Sequence, residues 1–271
     1  MAVVAKLAAV AVLCACRAPH PASPTQPDPT LGISPPSRPV GEPIEVRPVP
    51  PIVGSVETRT LSESELLEIR LDDGGGKHQS TEQRMRVEVK VLAVEHDRAS
   101  KLEVTADEST RSVRVETNRD DDVILHGVYL VTRADDDHVA ATRPDNTADA
   151  TAVEPRELDS LDAIVGDVLG HDATRELVVD RPLRVGETVP IVLDLHRDLY
   201  GEPLASRYTL SLVRATPTSA TYQIDMAATA REPNLIGDID FKGRETIEVD
   251  RRRGTIVSDE IVTFKTERRT G

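Results

Sequence analysis

The two cysteines of this 271-residue chain are the residues whose type and spacing most clearly point to chemistry. Cys14 and Cys16 stand two positions apart at the end of an apolar run, and the rest of the chain contains no cysteine. Cysteines this close in sequence are poorly placed to bridge each other, so a disulfide framework is not expected. A thiolate is readily alkylated. Alkylation is therefore a chemistry available to either cysteine.

The residues before Cys16 have the pattern of a secretory leader. A positive N-terminal end precedes the apolar run 7–13, which is too short to cross a bilayer as a helix. The ending Leu13-Cys14-Ala15-Cys16 resembles the lipobox of bacterial lipoproteins. The resemblance implies cleavage before Cys16 and diacylglycerol on its sulfur, which would anchor the chain to a membrane. The alternative is a secreted protein with an incidental cysteine pair.

The residue after the expected lipid attachment bears on the compartment. In Gram-negative lipoproteins an aspartate at this position tends to retain the protein at the inner membrane, whereas this chain has Arg17. The resemblance therefore implies a lipid-anchored protein of the cell envelope. The outer membrane is the favoured site, with the folded part facing the periplasm or the cell surface.

A proline-rich segment follows the leader. Twelve of the nineteen prolines lie between residues 17 and 52. Proline fixes φ and lacks the amide donor, so neither helix nor sheet is expected to propagate there. We interpret residues 1–15 as the signal peptide, 16–52 as the lipidated cysteine with a disordered tether, and 53–271 as a single β-rich domain.

From about residue 53 onward, apolar and polar residues alternate in short runs. Met85, Val87, Val89 and Val91 alternate with charged residues, the period-two pattern of a strand with one buried face. Similar runs recur after polar turns at 101–106, 113–115, 207–212, 221–226, 239–249 and 256–264. The pattern predicts a mainly β (α+β) fold, either a curved antiparallel sheet or two packed sheets. The more uniformly apolar stretch Val123–Val131 is predicted as a central strand.

One amphipathic helix is predicted around residues 154–170. Pro155 suits the first helical position, Glu154 and Glu157 suit the positive end of the helix dipole, and Gly170 suits the C-terminal cap. The apolar stripe of this helix contains Leu158, Leu161, Ile164, Val165, Val168 and Leu169. The residues expected on its solvent face are Asp159, Asp162 and Asp167.

Two weaker patterns accompany these elements. A second helix is indicated over Ser62–Ile69. The strand pairs at 84–107 and 207–229 resemble each other. They are either the two halves of an internal repeat or two unrelated hairpins.

The motifs that could hold a metal or perform catalysis are weak. The acidic runs Asp120–Asp122 and Asp135–Asp137 lack the residue order of a calcium-binding loop and are expected to be solvated hairpin tips. The histidines considered as metal ligands are His78, His96, His126, His138, His171 and His196, and none has metal-ligand spacing on a helix. No Gly-x-Ser-x-Gly nucleophile elbow is present. We expect that the protein is not an enzyme and that it binds neither a cofactor nor a metal. Ser, His and Asp side chains brought together by folding would be the exception.

Charge and composition narrow the partners. The formal net charge of −14 argues against nucleic acid, which is bound by clustered Lys and Arg. Aromatic residues make up only 2% of the chain, and their scarcity counts against sugar and base recognition by stacking. The partners that remain are the membrane, through the lipid on Cys16, and a protein or an apolar ligand.

The stretch Pro182-Leu183-Arg184-Val185-Gly186-Glu187-Thr188-Val189 follows the predicted helix and precedes paired hairpins. A tight turn is expected at Gly186. This arrangement resembles a group of bacterial secreted lipoproteins of uncharacterised activity, over roughly residues 80–265. The predicted layout of sheet and helix is similar, as a fold only, to the lipoprotein carriers LolA and LolB. The resemblance implies a non-catalytic binding or structural module at the envelope. The alternative is a periplasmic carrier that holds an apolar, lipid-like ligand inside a curved sheet.

Overall fold

The computed structural model describes residues 38–47, 49–71, 74–134, 139–144, 153–170, 177–179, 181–191, 205–232 and 237–269. The strands are β1 (Val40–Ile44), β2 (Val56–Leu71), β3 (Gly76–Glu95), β4 (Arg98–Val115), β5 (Asn118–Val123), β6 (Gly127–Arg133), β7 (Val139–Thr142), β8 (Leu183–Val185), β9 (Thr188–Ile191), β10 (Ala205–Ala215), β11 (Ser219–Glu232), β12 (Gly237–Asp250) and β13 (Thr255–Arg269). Helix α1 (Pro155–Leu169) separates β7 from β8. The prediction of a mainly β fold with an amphipathic helix around 154–170 is confirmed.

Eleven of the strands form one sheet. Its order is β7-β6-β4-β3-β2-β13-β12-β11-β10-β9, and β5 pairs with β4 alongside β6. The pairs in this sheet are antiparallel except that of β13 with β2, which run parallel at the middle of the sheet. The parallel pair joins the two strand-rich halves that flank α1, so the last strand completes the sheet begun by the first half. Strands β1 and β8 form a separate two-stranded sheet.

The register places both hydrophobic cores on the same face of the sheet. Leu61 lies opposite Met85 on one side and Asp259 on the other, Asp259 lies opposite Ile247, and Ile247 lies opposite Tyr222. Residues paired in this way point to the same face. The first core lies over β2, β3, β4 and β6, where α1 covers it. The second lies over β9 to β13 and includes residues of β8 and of the segments 44–46 and 177–179.

The helix predicted over Ser62–Ile69 is wrong, because this segment forms the middle of β2. Fifteen residues of β2 pair with β3, and twelve pair with β13 on the other side. Two long ladders satisfy the backbone donors and acceptors of the segment at once. Such tertiary pairing outweighs a modest local preference for helix.

The boundary of the folded part also differs from the prediction. Strand β1 lies within the segment predicted as a disordered tether, and it pairs with β8 from Val40↔Val185 to Ile44↔Leu183. Val46 is 2% exposed and belongs to the second core. Strand β1 has a partner on one side only, so it tolerates Pro43 at a position whose backbone N–H is not needed for pairing. Residues 40–46 therefore belong to the described fold, although the prediction assigned them to the tether.

The stretch Val123–Val131 is not a central strand. It contains the end of β5, an irregular segment and the start of β6, and β6 lies next to the edge strand β7. Its residues are apolar because Ile124 and Leu125 are buried in the first core. The acidic run Asp120–Asp122 is exposed as expected, but it lies in β5 rather than at a hairpin tip.

Candidate functional site

Helix α1 is the element whose position determines whether the sheet can enclose a ligand. It begins at Pro155, whose missing N–H costs nothing at the first helical position. The backbone N–H of Glu154 donates to Oε2 of Glu157 at 2.9 Å, which satisfies one donor at the helix start. Gly170 ends the helix with φ 88°, a left-handed conformation that favours glycine. These features confirm the predicted helix and its caps.

The apolar stripe of α1 packs directly on the sheet. Its buried side chains in the first core are Leu161, Ile164, Val165, Val168 and Leu169. Full burial of one such side chain contributes about 1.5–3 kcal/mol. The small cavity beside Arg59, Ile164 and Asp167 measures about 10 Å³, roughly the space of one water molecule. The space between α1 and the sheet is therefore occupied by side chains.

A buried ion pair fixes the C-terminal half of α1 to the sheet. The guanidinium of Arg59, on β2, donates from Nη1 and Nη2 to the two carboxylate oxygens of Asp167, on α1. Arg59 also donates to the Ile164 carbonyl at 2.6 Å and lies 3.2 Å from Glu57 Oε1. The backbone N–H of Ile256, on β13, donates to Asp167 Oδ2 at 2.7 Å. One carboxylate thus joins the helix to both strands of the parallel pair.

A second polar cluster fixes the N-terminal end of α1. Glu157 Oε1 accepts hydrogen bonds from the Tyr129 hydroxyl, on β6, and from Arg143 Nη2, each at 2.6 Å. Arg143 also stacks over the Tyr129 ring, with its central carbon 4.9 Å from the ring centroid. His126 Nδ1 lies 3.8 Å from the same Glu157 oxygen. We call these four residues the Glu157 cluster.

The Glu157 cluster shifts the pKa values of its members in opposite directions. Burial alone would raise the pKa of Glu157, but the hydrogen bond from Tyr129, the Glu154 N–H and the Arg143 charge together lower it. Burial and the hydrogen bond to Glu157 raise the pKa of the Tyr129 hydroxyl. Glu157 therefore stays ionised and Tyr129 stays protonated near neutral pH. This protonation pattern preserves the hydrogen bond between them.

The Arg59–Asp167 pair contains one residue that the sequence analysis placed elsewhere. Asp167 was expected on the solvent face of the helix, and the structure shows this to be wrong, since its side chain is 3% exposed. Arg59 shares the core face of β2 with Leu61, two residues further on, and its side chain is 1% exposed. The spacing of Asp167 three residues after Ile164 was a usable signal, because residues at i and i+3 share a helix face. A charge on each buried face would then have called for a partner.

The other candidate residues are distributed over the fold. Cys16, the expected lipid attachment site, lies outside the described residues, as do Asp135–Asp137, His138, His171 and His196. His96 lies in the β3–β4 turn with φ 51°. Within the described ranges, no three His, Cys, Asp or Glu side chains are grouped as metal ligands would be. The Glu157 cluster and the Arg59–Asp167 pair hold α1 in place, so the role that their contacts support is structural.

Comparison of the chain with protein-family models, with curated proteins and with solved structures finds no match. In the described part of the chain, no helix has the length and apolarity required to cross a membrane.

Proposed function

We propose that this chain is a non-catalytic lipoprotein of the bacterial cell envelope, anchored by lipid on Cys16, whose β-rich domain acts as a binding or structural module. The observation that carries the proposal is the leader ending Leu13-Cys14-Ala15-Cys16, with the only cysteines of the chain. Two or three acyl chains on one cysteine would give stable anchoring. The outer membrane is the proposed compartment because Arg17 follows the cysteine.

The packing of α1 supports a module rather than a container. A carrier needs a concave, mostly apolar cavity with room for its ligand. Here the helix lies on a filled core, and a buried ion pair or hydrogen-bonded cluster holds each of its ends. Displacing it would expose the apolar stripe and separate paired buried charges. The opposite face of the sheet is polar and open, as in Arg84, Arg86 and Glu88 of β3.

A carrier function stays as the second candidate because of one feature beyond α1. Leu67, on the core face of β2, lies opposite Lys265, which lies opposite Phe241 on β12. These side chains continue the core face past the two cores and are half-buried. A lipid-like ligand would occupy this extension rather than the space beneath the helix.

The anchor is tested by substituting each cysteine separately. Cys16→Ser should release the protein from membranes washed at high ionic strength, which removes electrostatic surface binding, and it should abolish incorporation of radioactive palmitate. Cys14→Ser is the matched control, because serine is common at that lipobox position and both properties should persist. Equal membrane association of the two variants would refute the anchor.

The choice between module and carrier is tested by native mass spectrometry of the protein released from the envelope in mild detergent. The module predicts the mass of the mature chain alone. A stoichiometric mass excess that matches a phospholipid or fatty acid, lost on Leu67→Asp, would establish the carrier instead.

A further inference from the structure

One end of the domain carries a group of exposed apolar side chains. Ile52, Val53 and Val56, which we call the apolar tip, are 72%, 59% and 47% exposed. The tip is held in a turn, since the Ser55 N–H donates to the Ile52 carbonyl at 3.0 Å and the Gly54 N–H donates to Val91 of β3 at 2.8 Å. Single exposed apolar residues are normal, whereas a group on one turn indicates a partner surface.

Three consecutive arginines lie beside the apolar tip. They form the β12–β13 turn at Arg251–Arg253, which we call the arginine turn. Arg253 Nη1 donates to Glu57 Oε2 at 2.9 Å, one residue after Val56, so the turn and the tip occupy the same end of the sheet. Asp250 accepts the backbone N–H groups of Arg252 and Arg253 at 2.8 and 3.1 Å, which fixes the turn.

The arginine turn presents positive charge on a chain whose net charge is −14. Arg251 donates to the Thr216 carbonyl at 2.5 Å and so braces the neighbouring turn. Arg252 is exposed, and its guanidinium forms no ion pair with the described residues. Arg253 pairs with Glu57 at 2.9 Å and lies 4.0 Å from Asp250, yet 45% of its side chain is exposed. Two guanidinium groups are thus accessible to an anionic partner directly beside an apolar surface.

We propose that this end of the domain docks on a bilayer surface that contains anionic phospholipid. Exposed apolar side chains beside cationic side chains are typical of interfacial membrane binding. A guanidinium pairs with phosphate through two parallel hydrogen bonds. Ile52 and Val53 would enter the headgroup region while Arg252 and Arg253 contact lipid phosphates. The presence of the domain at a membrane rests on the proposed anchor, but the docking chemistry does not require it.

The geometry of the chain is compatible with docking while anchored. The first described residue, Arg38, lies 22 positions after Cys16. A fully extended segment of this length spans at most about 75 Å. The apolar tip begins 14 residues after Arg38, beyond β1, so the segment between Cys16 and the described fold lies on the N-terminal side of the tip.

The test uses the chain from Arg17 onward, which retains every described residue and lacks the attachment cysteine. It is mixed with vesicles of phosphatidylcholine containing about 30% phosphatidylglycerol and separated by flotation. Binding should be strong at low salt, weaken as the ionic strength rises, and fall on vesicles of phosphatidylcholine alone. Arg252→Gln with Arg253→Gln should weaken binding about 25-fold, at about fivefold per arginine. Ile52→Gln with Val53→Gln should weaken it about tenfold or more.

The matched control is Val115→Gln with Arg114→Gln, an exposed apolar and cationic pair at the end of the sheet opposite the apolar tip. This variant should bind as the unsubstituted chain does, and all variants should show the same circular dichroism. Absence of flotation at low salt, or equal binding by the tip variants and the control, would overturn the docking proposal and reserve this surface for a protein partner. Because no lipid anchor is present, neither result depends on lipidation of Cys16.

Discussion

Replacement of Asp167 by alanine should strongly destabilise the domain. The side chains of Arg59 and Asp167 are 1% and 3% exposed, so the substitution leaves a guanidinium buried without its main partner. Breaking a buried ion pair from one side costs about 3–5 kcal/mol. Glu57, 3.2 Å from Arg59 Nε, offsets part of that loss, so we expect about 3 kcal/mol. The Ile256 N–H also loses its acceptor.

The corresponding double variant separates the ion pair from simple loss of packing. Arg59→Met with Asp167→Leu removes both charges and keeps similar volume, and such replacements are often neutral or stabilising. We expect its free energy of unfolding within about 2 kcal/mol of the unsubstituted chain. Arg59→Met and Asp167→Leu, each made alone, should together lose more stability than the double variant, by about 3 kcal/mol, because the two residues contact each other.

Urea unfolding followed by circular dichroism measures these differences, with thermal melting as a second probe. A loss of about 3 kcal/mol lowers the midpoint by roughly 10 °C in a domain of this size. Arg70→Gln, which breaks an exposed pair with Glu68, should leave the midpoint nearly unchanged. Additive single-variant losses, or an Asp167→Ala cost no larger than that of Arg70→Gln, would refute the claim that this pair holds α1 to the sheet.

Three further predictions concern other buried positions. Glu157→Gln should lower the free energy of unfolding above about pH 5. It should also reduce the loss of stability on acidification, because the lowered pKa of Glu157 contributes stability that is lost as pH falls through that pKa. Unfolding measured as a function of pH tests this. Burial raises the pKa of Tyr222 to about 12, so stability should fall by up to about 1.4 kcal/mol per pH unit between about pH 10 and 12. Tyr222→Phe should abolish that slope, and an unchanged slope would assign it to other groups. Gly170→Ala, whose new Cβ would lie 2.8 Å from an arginine nitrogen, should lower the melting midpoint more than Gly74→Ala, where nothing lies within 4 Å.

The alternation of apolar and polar residues was enough to predict most of the sheet. Runs such as 85–91 and 207–212 carry their facing pattern in the sequence, because one face of each strand is buried and the other is wet. Helix α1 was equally predictable, since its proline, its acidic first turn and its terminal glycine agree with its apolar stripe. The turn at Gly186 was also predicted, and the structure gives it φ 83°.

The parts that could not be predicted depend on contacts distant in sequence. Residues 62–69 are a strand because β3 and β13 flank them, and the parallel pairing with β13 joins residues about 200 positions apart. The same holds for β1, whose partner β8 follows the helix. In the sequence, Arg59 is one charged residue in a strand and Asp167 is one charged residue on a helix, and neither indicates the other. Only the fold shows that they are partners 108 residues apart.

The proposed anchor depends on lipid attachment at Cys16, which the intact mass of the protein extracted from membranes measures. Lipidation predicts a mature chain that begins at Cys16 and is heavier than its sequence mass by a diacylglyceryl group and, where the amine is acylated, by a further fatty acid. Fragmentation should place the added mass on the first residue. A chain that retains residues 1–15, or one cleaved elsewhere with an unmodified cysteine, would contradict the account.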